Sequence, residues 1–336
     1  MKMIQATGVL LGTVLLALVS CQDDDGVTPL GNWRQVSPLE GDARNAAASF
    51  VIGNKAYVGT GHNGEDRLKD FWEFDPGNGS WRQVADFGGT ARNNAVAFSL
   101  NERGYVGTGY DNDYKKDFWE YDPAANRWTQ KADFEGPARD RAVAFALPGG
   151  GYVGTGYTAG GKYLSDFWRF DPGSTANGFD ANGGPLRNWV QVASYGGKQP
   201  KRRGAVGFVI DNTACVGTGE SNGVTQEDFW AYNAEANRWT EIASLDGKAR
   251  VYAAAFTLDG KGYVGGGSNN GNKADFWEYD PEGDKWTQKT NFEGAARIYA
   301  VGFTIGERGY IGTGSGTGRF DDFWAFSPLD PYDDED

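Results

Sequence analysis

The triplet Asp-Phe-Trp occurs six times in the 336-residue chain, ending at Trp72, Trp119, Trp168, Trp230, Trp277 and Trp324. Successive copies stand 47, 49, 62, 47 and 47 residues apart. A period of this length means one supersecondary unit built again and again, none of which can bury its apolar surface alone. Ahead of each triplet lies a glycine-rich stretch such as Tyr105-Val106-Gly107-Thr108-Gly109, and ahead of that an apolar run such as Ala95-Val96-Ala97-Phe98, introduced by an arginine. Most copies are followed by an Asp-Pro turn and a lone tryptophan: Trp81, Trp128, Trp189, Trp239 and Trp286.

Each unit reads as four short strands: the apolar run, the Gly-Tyr-Val-Gly-Thr-Gly stretch, Asp-Phe-Trp-Glu-Tyr, and a strand opening on the lone tryptophan. Asn101-Glu102-Arg103-Gly104 and Asp259-Gly260-Lys261-Gly262 have hairpin chemistry, while Asp75-Pro76-Gly77 and Asp122-Pro123 begin the next connection. Phe and Trp of the third strand point to opposite faces, so the sheet is buried on both sides, as in a blade between two blades. Four strands per roughly 45 residues predicts an all-β, six-bladed β-propeller of four antiparallel strands per blade. The sixth unit ends at Phe326 without a following tryptophan, whereas Trp33-Arg34-Gln35-Val36 is a spare fourth strand. Pairing this N-terminal strand into the last blade closes the ring and covers an open edge. The long interval comes mainly from an insertion between Gly173 and Asn188.

The arginine, the glycines after an aromatic and β-branched pair, the Asp before the third strand and the lone Trp together resemble the Kelch family, which includes the galactose-oxidase-like propellers. The resemblance spans residues 31–327 and implies the same ring of blades. One departure is systematic: the second strand ends in Gly-Thr-Gly in five repeats and in Gly265-Gly266-Gly267 in the fifth.

What every repeat shares is expected to be scaffold, and what differs is expected to be site. The arginines Arg44, Arg92, Arg139, Arg202, Arg250 and Arg297 open the first strands and are candidates for a ligand-binding ring at one mouth of the channel, since guanidinium groups fit carboxylate or phosphate. The alternative is pairing within the scaffold, with the Asp ring of Asp70, Asp117, Asp166, Asp228, Asp275 and Asp322. In an antiparallel blade the loop before the first strand and the loop after the second share one end. That face therefore gathers His62, Tyr110, Tyr157 and Glu220 with Asp140, Arg141, Arg203, Tyr252 and Tyr299, which vary from blade to blade. Aromatic faces beside acids and arginines suit a glycan or a protein partner.

Catalytic alternatives are narrower. His62 is the sole histidine, so no multi-histidine metal centre is expected, and Asp111-Asn112-Asp113 lacks a full Ca²⁺ ligand spacing. No cofactor is expected. Glu220 or Glu65 could serve as acid/base. Gly219-Glu220 is similar in placement to the loop glutamate of the Kelch-propeller sialic acid mutarotases, implying a sugar mutarotase or epimerase, although no Arg follows before Asp228. A structural surface protein without a small ligand is the third reading.

The chain's ends address location. Residues 1–20, with Lys2 ahead of the apolar Val9–Val19 stretch, read as a signal peptide, and Leu18-Val19-Ser20-Cys21 resembles a lipobox, making Cys21 the lipidated residue. Residues 21–30 then form an acidic tether, whose Gln22-Asp23-Asp24-Asp25 resembles an export signal for the outer face of the outer membrane. A periplasmic-leaflet lipoprotein is the alternative. Residues 328–336 read as an acidic tail. A net charge of −13 argues against nucleic acid, and leaves the lipid as the only expected membrane contact. With Cys21 lipidated, Cys215 has no disulfide partner and is expected to be a small buried hydrophobe.

Overall fold

A computed structural model describes residues 30–173 and 188–333. The expected signal segment, Cys21, the acidic run to Asp25, most of the Gly173–Asn188 insertion and the last three residues lie outside this range. Six four-stranded antiparallel sheets form six blades. In blade 1 the order is Ala48–Ile52, Lys55–Gly59, Phe71–Asp75 and Ser80–Val84. Blades 2 to 5 repeat it, opening on Val96–Leu100, Val143–Leu147, Val206–Ile210 and Ala254–Leu258. Blade 6 joins Val301–Ile305, Arg308–Gly312 and Phe323–Ser327 to the N-terminal Asn32–Val36, which pairs Trp33 with Phe326. The ring closure expected from the spare tryptophan is the observed one.

First strands are innermost and touch one another around the channel. Their phenylalanines turn outward into the seam with the next blade. A Cβ on Gly104 would stand 2.2 Å from Phe50, so a second-strand glycine is the socket for the preceding blade's Phe. The lone tryptophans stitch the same seams from outside. Trp81, Trp128, Trp189, Trp239 and Trp286 each donate the indole N–H to a carbonyl of the preceding blade, at 2.8–3.3 Å. Trp33 is fully buried, and its indole has no such acceptor among the described residues. Cys215 occupies the second-strand position filled by tyrosine in the other blades. It is buried, which pushes its thiol up to about 12 and leaves it inert.

The first strands run away from the mouth where their arginines sit, so fourth strands begin at the opposite face. The N-terminal strand is a fourth strand, and Gly31 donates to the Asp330 carbonyl. Both described termini therefore lie on the face away from the arginines.

Two short hairpins were not anticipated. Tyr157–Thr158 pairs with Lys162–Tyr163, and Glu220–Ser221 with Val224–Thr225. They stand where the sequence suggested only variable loops.

Candidate functional site

The arginine ring is scaffold, which corrects the expectation that Arg44, Arg92, Arg139, Arg202, Arg250 and Arg297 present guanidinium groups to the channel mouth. All six are at most 1% exposed. Each is held bidentately by the Asp of its own blade: Arg92 Nη1 and Nη2 lie 2.6 and 2.8 Å from Asp117, and Arg139 binds Asp166 at 2.9 and 2.6 Å. Nη1 also donates to the carbonyl of the central Gly-Thr-Gly residue, and Nε to a carbonyl shortly before the arginine. The second Asp oxygen accepts the third-strand indole as well, at 2.8 Å from Trp119 and 2.7 Å from Trp168. Every guanidinium nitrogen of the six has an acceptor within the scaffold, so none is turned to the channel mouth.

Two residues after each arginine the chain enters the left-handed region: Ala46, Asn94, Arg141, Gly204, Tyr252 and Tyr299 have φ between 51° and 61°. Each N–H donates to the carbonyl of the corresponding residue one blade back, at 3.0–3.3 Å, and Ala46 closes the circle onto Tyr299. Six blades thus share one cyclic hydrogen-bonded collar at the mouth. Below it runs a ring of alanines: Ala47, Ala95, Ala142, Ala205, Ala253 and Ala300. The collar frames a cavity of about 140 Å³.

Side chains break the symmetry of the collar. Tyr252 and Tyr299 stack with centroids 4.1 Å apart at 22°. Tyr299 lines the cavity beside Arg141 and Tyr252. Burial and the neighbouring Tyr299 push the Tyr252 phenol up, so it stays a neutral donor. Gly204 makes room: a Cβ there would stand 2.4 Å from the Tyr252 ring. Arg141 Nη1 binds Asp140 Oδ2 at 2.7 Å, and Asn94 Nδ2 approaches the same oxygen at 3.4 Å. Asp140 is 1% exposed and its other oxygen, Oδ1, has no partner among the described residues. Burial pushes its carboxyl above the usual range, against the pull of Arg141 and Arg203. The Nε atoms of Arg141 and Arg203 are also buried without partners among the described residues.

Beyond the collar, tyrosines form a crescent over blades 2 and 3. Tyr110 meets Tyr114 at 5.2 Å, Tyr114 meets Tyr157 at 6.3 Å, and Tyr157 meets Tyr163 at 5.0 Å. Arg203 lies over Tyr157 and Tyr163 at 4.7 and 5.4 Å. Its Nη2 reaches both Glu220 oxygens at 3.2 and 3.3 Å, and the Tyr163 hydroxyl donates to Glu220 at 2.5 Å. Burial opposes ionisation of Glu220, but the Tyr163 bond and Arg203 outweigh it and hold the carboxyl below its usual range. Glu220 is therefore a tied-down carboxylate rather than a poised acid. Glu65 stands exposed in the blade 1 loop.

The expected sharing of one face holds, since Asn45, Asn93, Asp140, Arg203, Val251 and Ile298 bridge His62, Tyr110, Tyr157, Glu220, Ser268 and Ser315 in turn. The structure divides the gathered residues in two: Arg141, Tyr252 and Tyr299 ring the mouth beside Asp140, while Tyr110, Tyr157, Arg203 and Glu220 belong to the crescent, with His62 at its far end. Tyr114, Tyr163 and Asn94 were not singled out from the sequence. The first two sit at irregular offsets within the loops, and Asn94 shows only when the position two after each arginine is read across all blades. Among the described residues, no group of three or more His, Cys, Asp or Glu side chains is placed to hold a metal ion.

Comparison with known proteins agrees with this architecture. The KLHDC2/KLHL20/DRC7 Kelch-repeats domain matches residues 133–298, and the Kelch motif matches residues 43–88. The chain is a Kelch-repeat β-propeller. The solved structure of YjhT is similar to it with a TM-score of 0.70 at 15% identity, over 85% of this chain and 95% of that one. At that identity the likeness extends to the fold alone. No curated protein matches the chain.

Proposed function

We propose that the protein is a recognition module that binds a hydroxyl-rich ligand, a glycan, at the collar, and that lipid at Cys21 anchors it in the outer membrane with this face displayed outward from the cell. The observation that carries the reading is a cavity lined by Asn94 and Arg141 and walled by the stacked rings of Tyr252 and Tyr299, which sets polar groups and aromatic faces at one mouth. A sugar presents hydroxyls to polar side chains and an apolar ring face to aromatic ones, so it suits both kinds of wall. A protein partner would use the same face through the tyrosine crescent. Exit of the chain on the opposite face supports outward display, since a tether there leaves the collar unobstructed.

The mutarotase reading rests on Glu220 as acid/base; its contacts with Tyr163 and Arg203 hold the carboxyl below its usual range, which favours recognition over proton transfer at that residue. The test is a glycan and peptide array with the folded domain. A sugar hit lost in both Arg141→Ala and Tyr252→Ala, with unchanged melting behaviour, is the expected result. Hits confined to peptides, or sugar hits indifferent to both substitutions, overturn the reading.

A further inference from the structure

In blades 1, 2 and 5 the tyrosine of the second strand stands opposite a glutamate of the third: Tyr57 opposite Glu73, Tyr105 opposite Glu120 and Tyr263 opposite Glu278. Each hydroxyl donates to that carboxylate, at 2.8, 2.7 and 2.6 Å. A lysine completes each arrangement: Lys55 lies 2.8 Å from Glu73, Lys131 3.3 Å from Glu120 and Lys261 3.5 Å from Glu278. A buried phenol, a carboxylate and a cation thus form one unit three times over. Blade 4 has lost the whole unit, with Cys215 opposite Ala231, and blade 6 sets Tyr310 opposite Ala325.

Of the six blades, only blade 3 keeps the tyrosine and sets a cation opposite it, Tyr152 against Arg169. Gly150 takes the register position of Lys55 and Lys261, and a Cβ there would stand 3.0 Å from Arg169 Cγ. The glycine thereby gives the arginine its path. Tyr152 is 3% exposed, and its hydroxyl has no partner among the described residues. Burial pushes the phenol up, so it stays a protonated donor. The carboxylate paired with Arg169 is Asp171, at 3.6 Å, too far for a hydrogen bond. Tyr152 and Arg169 both line a cavity of about 380 Å³ in the seam with blade 4, walled on its apolar side by Leu147, Pro148 and Ala234. Leu147 ends a first strand and Ala234 follows a third, so the cavity lies on the face away from the collar.

We propose that this cavity binds a small monocarboxylate with an apolar body, whose carboxylate takes the place that Glu73, Glu120 and Glu278 fill in their own blades. Arg169 supplies charge-assisted donors and Tyr152 its hydroxyl, as the lysine and the tyrosine do in blade 1. Leu147, Pro148 and Ala234 cover the apolar body. The acids at the rim set the charge of the ligand. Asp171 and the exposed Glu235 leave Arg169 to compensate one negative group, and a second would meet acids of its own sign. The collar reading is independent of this site, and either can fail without the other.

The experiment is saturation-transfer NMR with calorimetry on the folded protein, using benzoate and hexanoate as probes, benzamide as the uncharged isostere and succinate as the dianion. The expected result is saturable binding of both monocarboxylates, with benzamide and succinate weaker by about tenfold or more. Arg169→Gln should weaken benzoate by a similar factor. Tyr152→Phe, which removes only the hydroxyl, should weaken it less, with melting behaviour unchanged. Arg169→Glu addresses the origin of the site, because it installs opposite Tyr152 the carboxylate that blades 1, 2 and 5 already carry. It should abolish benzoate binding in a protein that still unfolds cooperatively. Absence of saturable binding by either acid, equal binding of benzamide, or benzoate binding that survives both Arg169→Gln and Arg169→Glu overturns the proposal.

Discussion

At the residue scale, each ring arginine is a buried cation whose hydrogen bonds are met by its own blade. Breaking a pair of this kind leaves an uncompensated charge, which costs about 3–5 kcal/mol. Asp117→Asn should therefore lower stability by about that amount in denaturant titration, because Arg92 is 1% exposed and loses its anionic partner. The pH dependence follows from the same pairs. Despite the opposing pull of burial, the arginines hold Asp70, Asp117, Asp275 and Asp322 below 3.8 in the folded state. A folded pKa below the unfolded one gives stability that is complete above about pH 4 and disappears as pH falls through the folded value. Asp140 has the opposite sign: raised by burial, its ionised form contributes against folding at neutral pH. Asp140→Asn should then be no less stable than the parent at pH 7, although the site is as buried as the ring. Equal losses in the two variants would contradict this. The repeat made both rings readable, but not their bonding, because a spacing of 25–27 residues does not say whether two side chains turn toward each other or toward the channel.

At the scale of elements, strands and tight turns were readable because their chemistry is local. The Asn101-Glu102 hairpin has φ of 52° and 55°, the geometry of a type I′ turn. Glutamate is a poor choice at the second position, where the matching hairpin of blade 5 has Gly260. Left-handed backbone costs a residue with a Cβ roughly 1–2 kcal/mol, partly offset by the greater freedom of glycine in the unfolded chain. Glu102→Gly should accordingly stabilise the fold by about 0.5–1 kcal/mol, read from the denaturation midpoint at constant slope. A decrease would mean that the exposed Glu102 side chain contributes more than its backbone strain costs. The hairpins 157–163 and 220–225 escaped sequence reading for a related reason. Two-residue strands have no periodicity, and only their cross-strand partner reveals them. They bring Tyr163 onto Tyr157 and onto Glu220, so a large part of the crescent was invisible until they were seen.

For the whole molecule, the decisive device is the closure of blade 6 by a strand from the other end of the chain. Trp33 fills the seam, with Phe276, Phe292 and Phe326 centroids 4.8–4.9 Å away. Removing an aromatic ring of this kind costs about 3–5 kcal/mol through lost burial and the cavity left behind. Trp33→Ala should lose that much, and because the strand joins distant parts of the chain, the loss should weaken the ring as a whole rather than blade 6 alone. Trp33→Phe separates packing from hydrogen bonding. The other lone tryptophans donate to the preceding blade, whereas the Trp33 indole has no acceptor among the described residues. Phenylalanine should therefore be tolerated better at position 33 than at position 81, where the bond from the indole to the Ser37 carbonyl would be lost. Equilibrium unfolding of Trp33→Phe and Trp81→Phe decides between the two accounts. Equal losses at both positions would mean that ring volume alone governs the seams, and a larger loss at Trp33 would mean that closure depends on shape at that one joint.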